Sequence, residues 1–201
     1  MNLTTTVNPP IMELVFATHN AHKLKEVQAL FPKHIKLLSL DDIGCYEEIP
    51  ETEDTIDGNA ILKANYVKLH YKLDCFADDT GLEVKALNGE PGVYSARYAG
   101  EDKDNDANIK KLLENLESKD DRSARFKTVI ALNFEDHQHL FTGICEGHIL
   151  KEKKGEHGFG YDSVFQAHNS EKTFAEMELI EKAKLSHRAK ALKYLIEYLA
   201  K

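Results

Sequence analysis

The apolar positions along this chain change their period several times, and each change predicts an element. Residues 13–17 (ELVFA), apolar from Leu14 to Ala17, read as a buried strand; after the polar THNAHK, Leu24, Val27, Leu30 and Phe31 recur at helical spacing. The chain therefore opens as strand, polar turn, helix. Residues 36–40 predict a second strand, and residues 41–57 a loop dense in carboxylates. Ile56, Ala60, Ala64, Val67 and Tyr71 then fall on one helical face behind Thr55, a residue type suited to cap that helix. Residues 75–77 read as a central strand that stops at Asp78-Asp79-Thr80-Gly81, and residues 82–87 resume strand alternation, which puts two acids in a turn.

Gly89, Pro91 and Gly92 mark a loop before a second amphipathic helix carrying Ile109, Leu112, Leu113 and Leu116. Residues 124–134 and 140–149 are separated by a short polar connector and predict an antiparallel hairpin, so the sheet should be mixed. A basic, glycine-punctuated loop (KEKKGEHGFGYD) follows. Ser186 then heads a last helix whose face is Ala189, Leu192, Leu195, Ile196 and Leu199.

Composition narrows the class. A chain of 201 residues, 42% hydrophobic and 30% charged, makes one domain or two small lobes sharing a core. A single domain over residues 1–201 is expected, with residues 1–10 a flexible extension. With 34 acidic against 26 basic residues, the surface should repel a nucleic-acid backbone, although a small phosphorylated ligand could sit in a local basic pocket. Three widely spaced cysteines without a CxxC pair favour a reducing compartment. No basic n-region, signal h-region or run of ~20 apolar residues stands out, so the protein is expected in solution in the cytoplasm.

Three places could carry chemistry. Residues 18–23 (THNAHK) lie where a strand runs into a helix N-terminus, which favours a phosphate; the alternative is a plain cap by Thr18 or Asn20 with Lys23 in solvent. No GxxxxGK[ST] is present. Asp78 and Asp79 follow a buried strand, and because neighbours on a strand point to opposite faces, only one should face a given pocket. Hard carboxylates there and at Glu47, Glu48, Glu51, Glu53, Asp54 and Asp57 would suit Mg2+, which takes one or two protein oxygens plus substrate phosphates. Finally, glycines around Phe159 and Tyr161 would let a flat ligand approach, beside Asp162; the alternative is a tight turn with two core aromatics. Ser186-His187-Arg188 opens the last helix, read as a Ser cap followed by two exposed cations.

Five segments in order, FATHNAHKLKEV, NAILKA, FADDTGLEVKALNGEPGVYSARYAGED, GFGYDSVF and SHRAKAL, resemble the inosine triphosphate pyrophosphatase family. These enzymes hydrolyse purine nucleoside triphosphates bearing non-standard bases (ITP, dITP, XTP) to the monophosphate and pyrophosphate. The resemblance implies an α/β fold, an elongated mixed sheet flanked by helices with two lobes and a central cleft, and a homodimer. It implies that Thr18, His19, Asn20, Ala21, His22 and Lys23 bind phosphate, and that Asp79 is the catalytic base and a Mg2+ ligand. Thr80 should touch substrate, Phe159, Gly160, Tyr161 and Asp162 should bind the base, and Lys182, His187 and Arg188 should complete that pocket. The acidic loop is shorter than the family's usual one, which leaves Glu51 the better second metal ligand and Glu53 the runner-up. Other departures are His19 for glycine, Thr80 for serine and Ser163 for proline. Phe159 or Tyr161 would stack on the purine, while Arg188 and His187 would donate to a 6-keto oxygen. A related pyrophosphatase with another base preference, or a catalytically silent nucleotide-binding regulator, are the alternatives.

Overall fold

The computed structural model describes residues 12–201; the expected extension, residues 1–10, lies outside them. Strand β1 (Met12–Phe16) leads through a turn into α1 (Ala21–Leu30), and β2 (Ile35–Leu38) returns parallel to β1. Helix α2 (Ile56–Tyr71) starts on Thr55, whose side chain accepts from Gly58 N as its cap chemistry predicted. It feeds β3 (Cys75–Val84), which lies parallel to β1 and also pairs with the short β4 (Pro91–Gly92). After α3 (Asn105–Asn115) come the hairpin strands β5 (Ser123–Phe134) and β6 (His137–Ile149), then β7 (Phe165–Ala167), α4 (Leu179–Ala183) and α5 (His187–Leu199). The seven-stranded sheet has the order β2-β1-β3-β5-β6-β7 with β4 beside β3, parallel at β1 and antiparallel elsewhere. It is the mixed, helix-flanked sheet that the motifs implied.

The acid pair is not in a turn. β3 runs unbroken through Asp78-Asp79-Thr80-Gly81, every residue from Cys75 to Val84 registering against β5 from Asn133 to Ala124. Poor local strand propensity is overridden by the partner strand, as is common in sheets. Gly81 is needed there because a Cβ would lie 2.4 Å from the Gly92 carbonyl oxygen of β4.

Alternation along β3 distributes the core. Cys75 and Ala77 pack with Ala60, Ala64 and Val67 of α2 on one face; Phe76 packs with Val27 of α1 and Leu192 and Leu195 of α5 on the other. Beyond the acids, Leu82 and Val84 join Ile109 and Leu112 of α3 and Phe165 and Phe174 in a separate cluster. Asp78 and Asp79 thus lie where one strand passes between apolar clusters, and a cleft opens there. Among the described residues no helix is long and apolar enough to cross a membrane.

Candidate active site

The cleft has a volume of about 350 Å³ and is lined by every sequence-predicted site residue except Ala21. Glu51 is on its wall, whereas Glu53 is exposed outside it.

At one end, the 18–23 turn is both capped and charged. Asn20 Oδ1 accepts from His22 N at 3.0 Å and Lys23 N at 3.1 Å, so the capping reading holds for Asn20 and two of the helix's open amides are taken. Thr18 Oγ1 accepts from Asn20 N. Lys23 is not in solvent: its Nζ lies 2.9 Å from Asp78 Oδ1.

The two acids face opposite ways, as strand geometry requires. Asp78 is 1% exposed and receives Lys23 and, at 2.9 Å, Arg188 Nε. Burial opposes its charge, but Lys23, Arg188 and Lys63 outweigh that and hold its carboxyl well below the usual range. Asp79 lines the cleft on the α2 side, 3.2 Å from Lys63 Nζ, which also lies 2.5 Å from Glu51 Oε1. Burial pushes the Asp79 carboxyl up, and Lys63 only partly offsets it. A buried carboxyl raised in this way and open to a cleft is suited to accept a proton.

The opposite wall is a chain of ion pairs. Asp162 Oδ2 accepts from Phe159 N at 3.0 Å and Lys182 Nζ at 2.7 Å; Lys182 reaches Glu26 at 2.6 Å, and Glu26 pairs with Arg188. Arg188 commits a third N–H group to Thr80 Oγ1 at 3.3 Å. The expectation of two exposed cations at the head of α5 is therefore overturned: His187 and Arg188 are 3% and 2% exposed. The cause is local. Gly143 of β6 has no side chain, and a Cβ there would lie 2.0 Å from the His187 carbonyl, so only glycine lets the α5 N-terminus seat on the sheet.

His187 stacks on Phe126 at 4.5 Å between centroids, and its Nδ1 is a buried polar atom with no partner among the described residues. Burial, then the nearby cations, lowers its pKa well below the ordinary value, so it is neutral. Of the two aromatics, Tyr161 is 3% exposed and donates its hydroxyl to Ser95 O, which fixes it in the core rather than leaving it to stack on a ligand. Phe159 is half-buried, stacked on His22 with Lys182 Nζ 5.4 Å from its centroid.

Sequence reading missed Lys63, Glu26 and Arg97. Lys63 had a signal, since it lies among Ala60, Ala64 and Val67 on the buried face of α2, an unexplained charge in an apolar stripe. Arg97 is the one cation on the cleft wall with no carboxylate within 4.0 Å among the described residues; it donates to Glu51 O at 3.2 Å.

A family profile described as the Ham1 family matches residues 14–198. The chain belongs to the Ham1 family. A relative in Christiangramia forsetii, named dITP/XTP pyrophosphatase, is 64% identical over 190 residues, covering 94% of this chain and all of that one. Another of the same name, in Flavobacterium psychrophilum, is 58% identical and covers 93% of this chain and 98% of its own. Among solved structures, the Staphylococcus aureus Ham1 protein superposes with a TM-score of 0.85 at 40% identity, covering 94% of this chain and 98% of that one. A HAM1 protein from Coxiella burnetii gives a TM-score of 0.86 at 39% identity with the same coverage. The Ham1 fold seen in both agrees with the mixed, helix-flanked sheet described above.

Proposed function

We propose that this chain hydrolyses purine nucleoside triphosphates with non-standard bases, ITP, dITP and XTP, to the monophosphate and pyrophosphate. In this reading it acts as a single-domain cytoplasmic enzyme and a homodimer, with Asp79 as general base and Asp79 and Glu51 as ligands to Mg2+. The observation that carries the proposal is Asp79 itself, raised by burial, open to the cleft and joined through Lys63 to a second carboxylate. The names of the relatives support the substrate class.

Attack of water at the α-phosphorus needs a group to take the proton and cations to meet the charge that develops on the phosphoryl oxygens. Asp79 takes the proton. Lys23 is tied to Asp78, which fixes its ammonium at the cleft; Arg97, with no carboxylate of its own, is open to the pyrophosphate portion. Among the described residues no cluster of three or more His, Cys, Asp or Glu side chains forms a metal cage. Two neighbouring carboxylates suit Mg2+ better, since it takes few protein oxygens and completes its shell with water and phosphate. When bound, the metal would neutralise the leaving pyrophosphate.

Base choice follows from the other wall. A 6-keto purine presents an acceptor where adenine presents an amino donor. His187 Nδ1, buried and unpartnered, can carry the donor that an acceptor would satisfy. Arg188 already engages Asp78, Glu26 and Thr80 with three of its N–H groups, so its first role is to fix the wall and its remaining donors read the base. Phe159 stacks on the purine without discriminating. A pyrophosphate-release assay on a panel of triphosphates tests the proposal: ITP, dITP and XTP should turn over and ATP should be poor. Equal efficiency on ATP would refute it.

A further inference from the structure

We propose that Lys63 is a tethered counter-ion that holds the place of the divalent metal, so that Lys63 and Mg2+ compete for the same two carboxylates. The inference rests on the reading of Glu51 and Asp79 as metal ligands.

Helix α2 carries Lys63 on its buried face, and its ammonium bridges Glu51 Oε1 at 2.5 Å and Asp79 Oδ1 at 3.2 Å. Neither carboxylate has another cation within 4.0 Å among the described residues. Lys63 is also the only side-chain hydrogen-bond donor to Asp79 among them. Two acids this close in a sheltered cleft would repel each other without a cation between them, because charges interact more strongly out of bulk water.

The same oxygens cannot satisfy an ammonium and a hard divalent ion at once. The lysine stem is flexible enough for Nζ to withdraw while α2 stays packed through Ala60, Ala64 and Val67. Once displaced, the ammonium remains in the cleft, which Lys63 and Arg97 both line, and becomes available to phosphoryl oxygens. The arrangement therefore keeps the metal-free protein folded and makes one lysine serve two anions in turn.

Calorimetric titration of Mg2+ into nucleotide-free wild-type, Lys63→Met and Lys63→Arg proteins tests this. Lys63→Met should bind Mg2+ about tenfold or more tightly than wild type, because a repelling charge close to the metal is gone. It should melt lower than wild type in chelator and lose turnover. Lys63→Arg, which keeps the charge, should bind metal like wild type. A purely structural lysine would predict the reverse for the methionine variant, so unchanged or weaker Mg2+ binding there overturns the inference. If Lys63→Met does not fold, wild-type crystals grown with Mg2+ decide: Nζ should have left both carboxylates, and a metal bound with Nζ still bridging them refutes the competition. A wild-type protein that binds no Mg2+ at these residues would overturn the metal reading, and this inference with it.

Discussion

Replacing Asp78 and Asp79 separately by asparagine should produce opposite variants, although the two residues are adjacent and both acidic. Asp78 is buried against Lys23 and Arg188 with its carboxyl held well below the usual range. Removing one member of such a buried set leaves charge uncompensated and costs about 3–5 kcal/mol. For a domain of this size that lowers the melting temperature by roughly 6–20 °C. Asp79 stands the other way round: burial raises its pKa, so its ionised form works against folding as pH climbs through the folded value. Asp79→Asn should therefore melt at or above the wild-type temperature at neutral pH, while turnover falls by more than about 10²–10⁴-fold, because both proton acceptor and metal ligand are lost. The signs also separate with pH. Stability from Asp78 is present above the ordinary aspartate value of 3.8 and is lost only as pH falls through its depressed folded value. The cost of ionised Asp79 to stability appears instead as pH rises above 3.8 in the metal-free protein. Differential scanning calorimetry and pyrophosphate release on purified variants measure both effects. An active, destabilised Asp79→Asn beside an inactive, stable Asp78→Asn would refute the assignment and exchange the two roles.

Three further outcomes follow from the same geometry. Glu51→Gln should raise the Mg2+ concentration needed for half-maximal turnover, and Glu53→Gln should not; the opposite result in a metal titration would move the ligand two residues along the loop. Arg97→Gln should weaken inhibition by inorganic pyrophosphate while leaving inhibition by inosine monophosphate near wild type, and equal weakening of both would show that the residue meets no particular phosphate. His187→Phe should narrow the gap between ITP and ATP chiefly by slowing ITP, since an unmet keto acceptor costs on the order of 1–3 kcal/mol; an unchanged ratio of kcat/KM values would remove His187 from base selection.

What was legible in the sequence was local. Thr55, Asn20 and Ser186 announce their helices because a cap bonds amides two or three residues away. The β5–β6 hairpin is legible for the same reason, its connector being short. The strand through Asp78 and Asp79 was misread because its continuity is imposed by β5, about fifty residues on, and not by the residues themselves. The site's electrostatics were less legible still. Lys23 and Asp78 are 55 residues apart, Arg188 and Asp78 110, and Lys182 and Glu26 156, so neither spacing nor periodicity could pair them. The motif resemblance located the cleft residues, with Ala21 alone off its wall, and a tight turn with core aromatics was one of the two readings open for Phe159 and Tyr161, but only the fold revealed that Arg188 is an interior ion-pair hub.

The central claim is hydrolysis between the α- and β-phosphates by water acting on the α-phosphorus. It is tested most directly by turning over dITP in water enriched in oxygen-18 and weighing the products. The account predicts one heavy oxygen in the nucleoside monophosphate and none in the released pyrophosphate. Heavy oxygen in pyrophosphate, or release of orthophosphate with a nucleoside diphosphate, would contradict it.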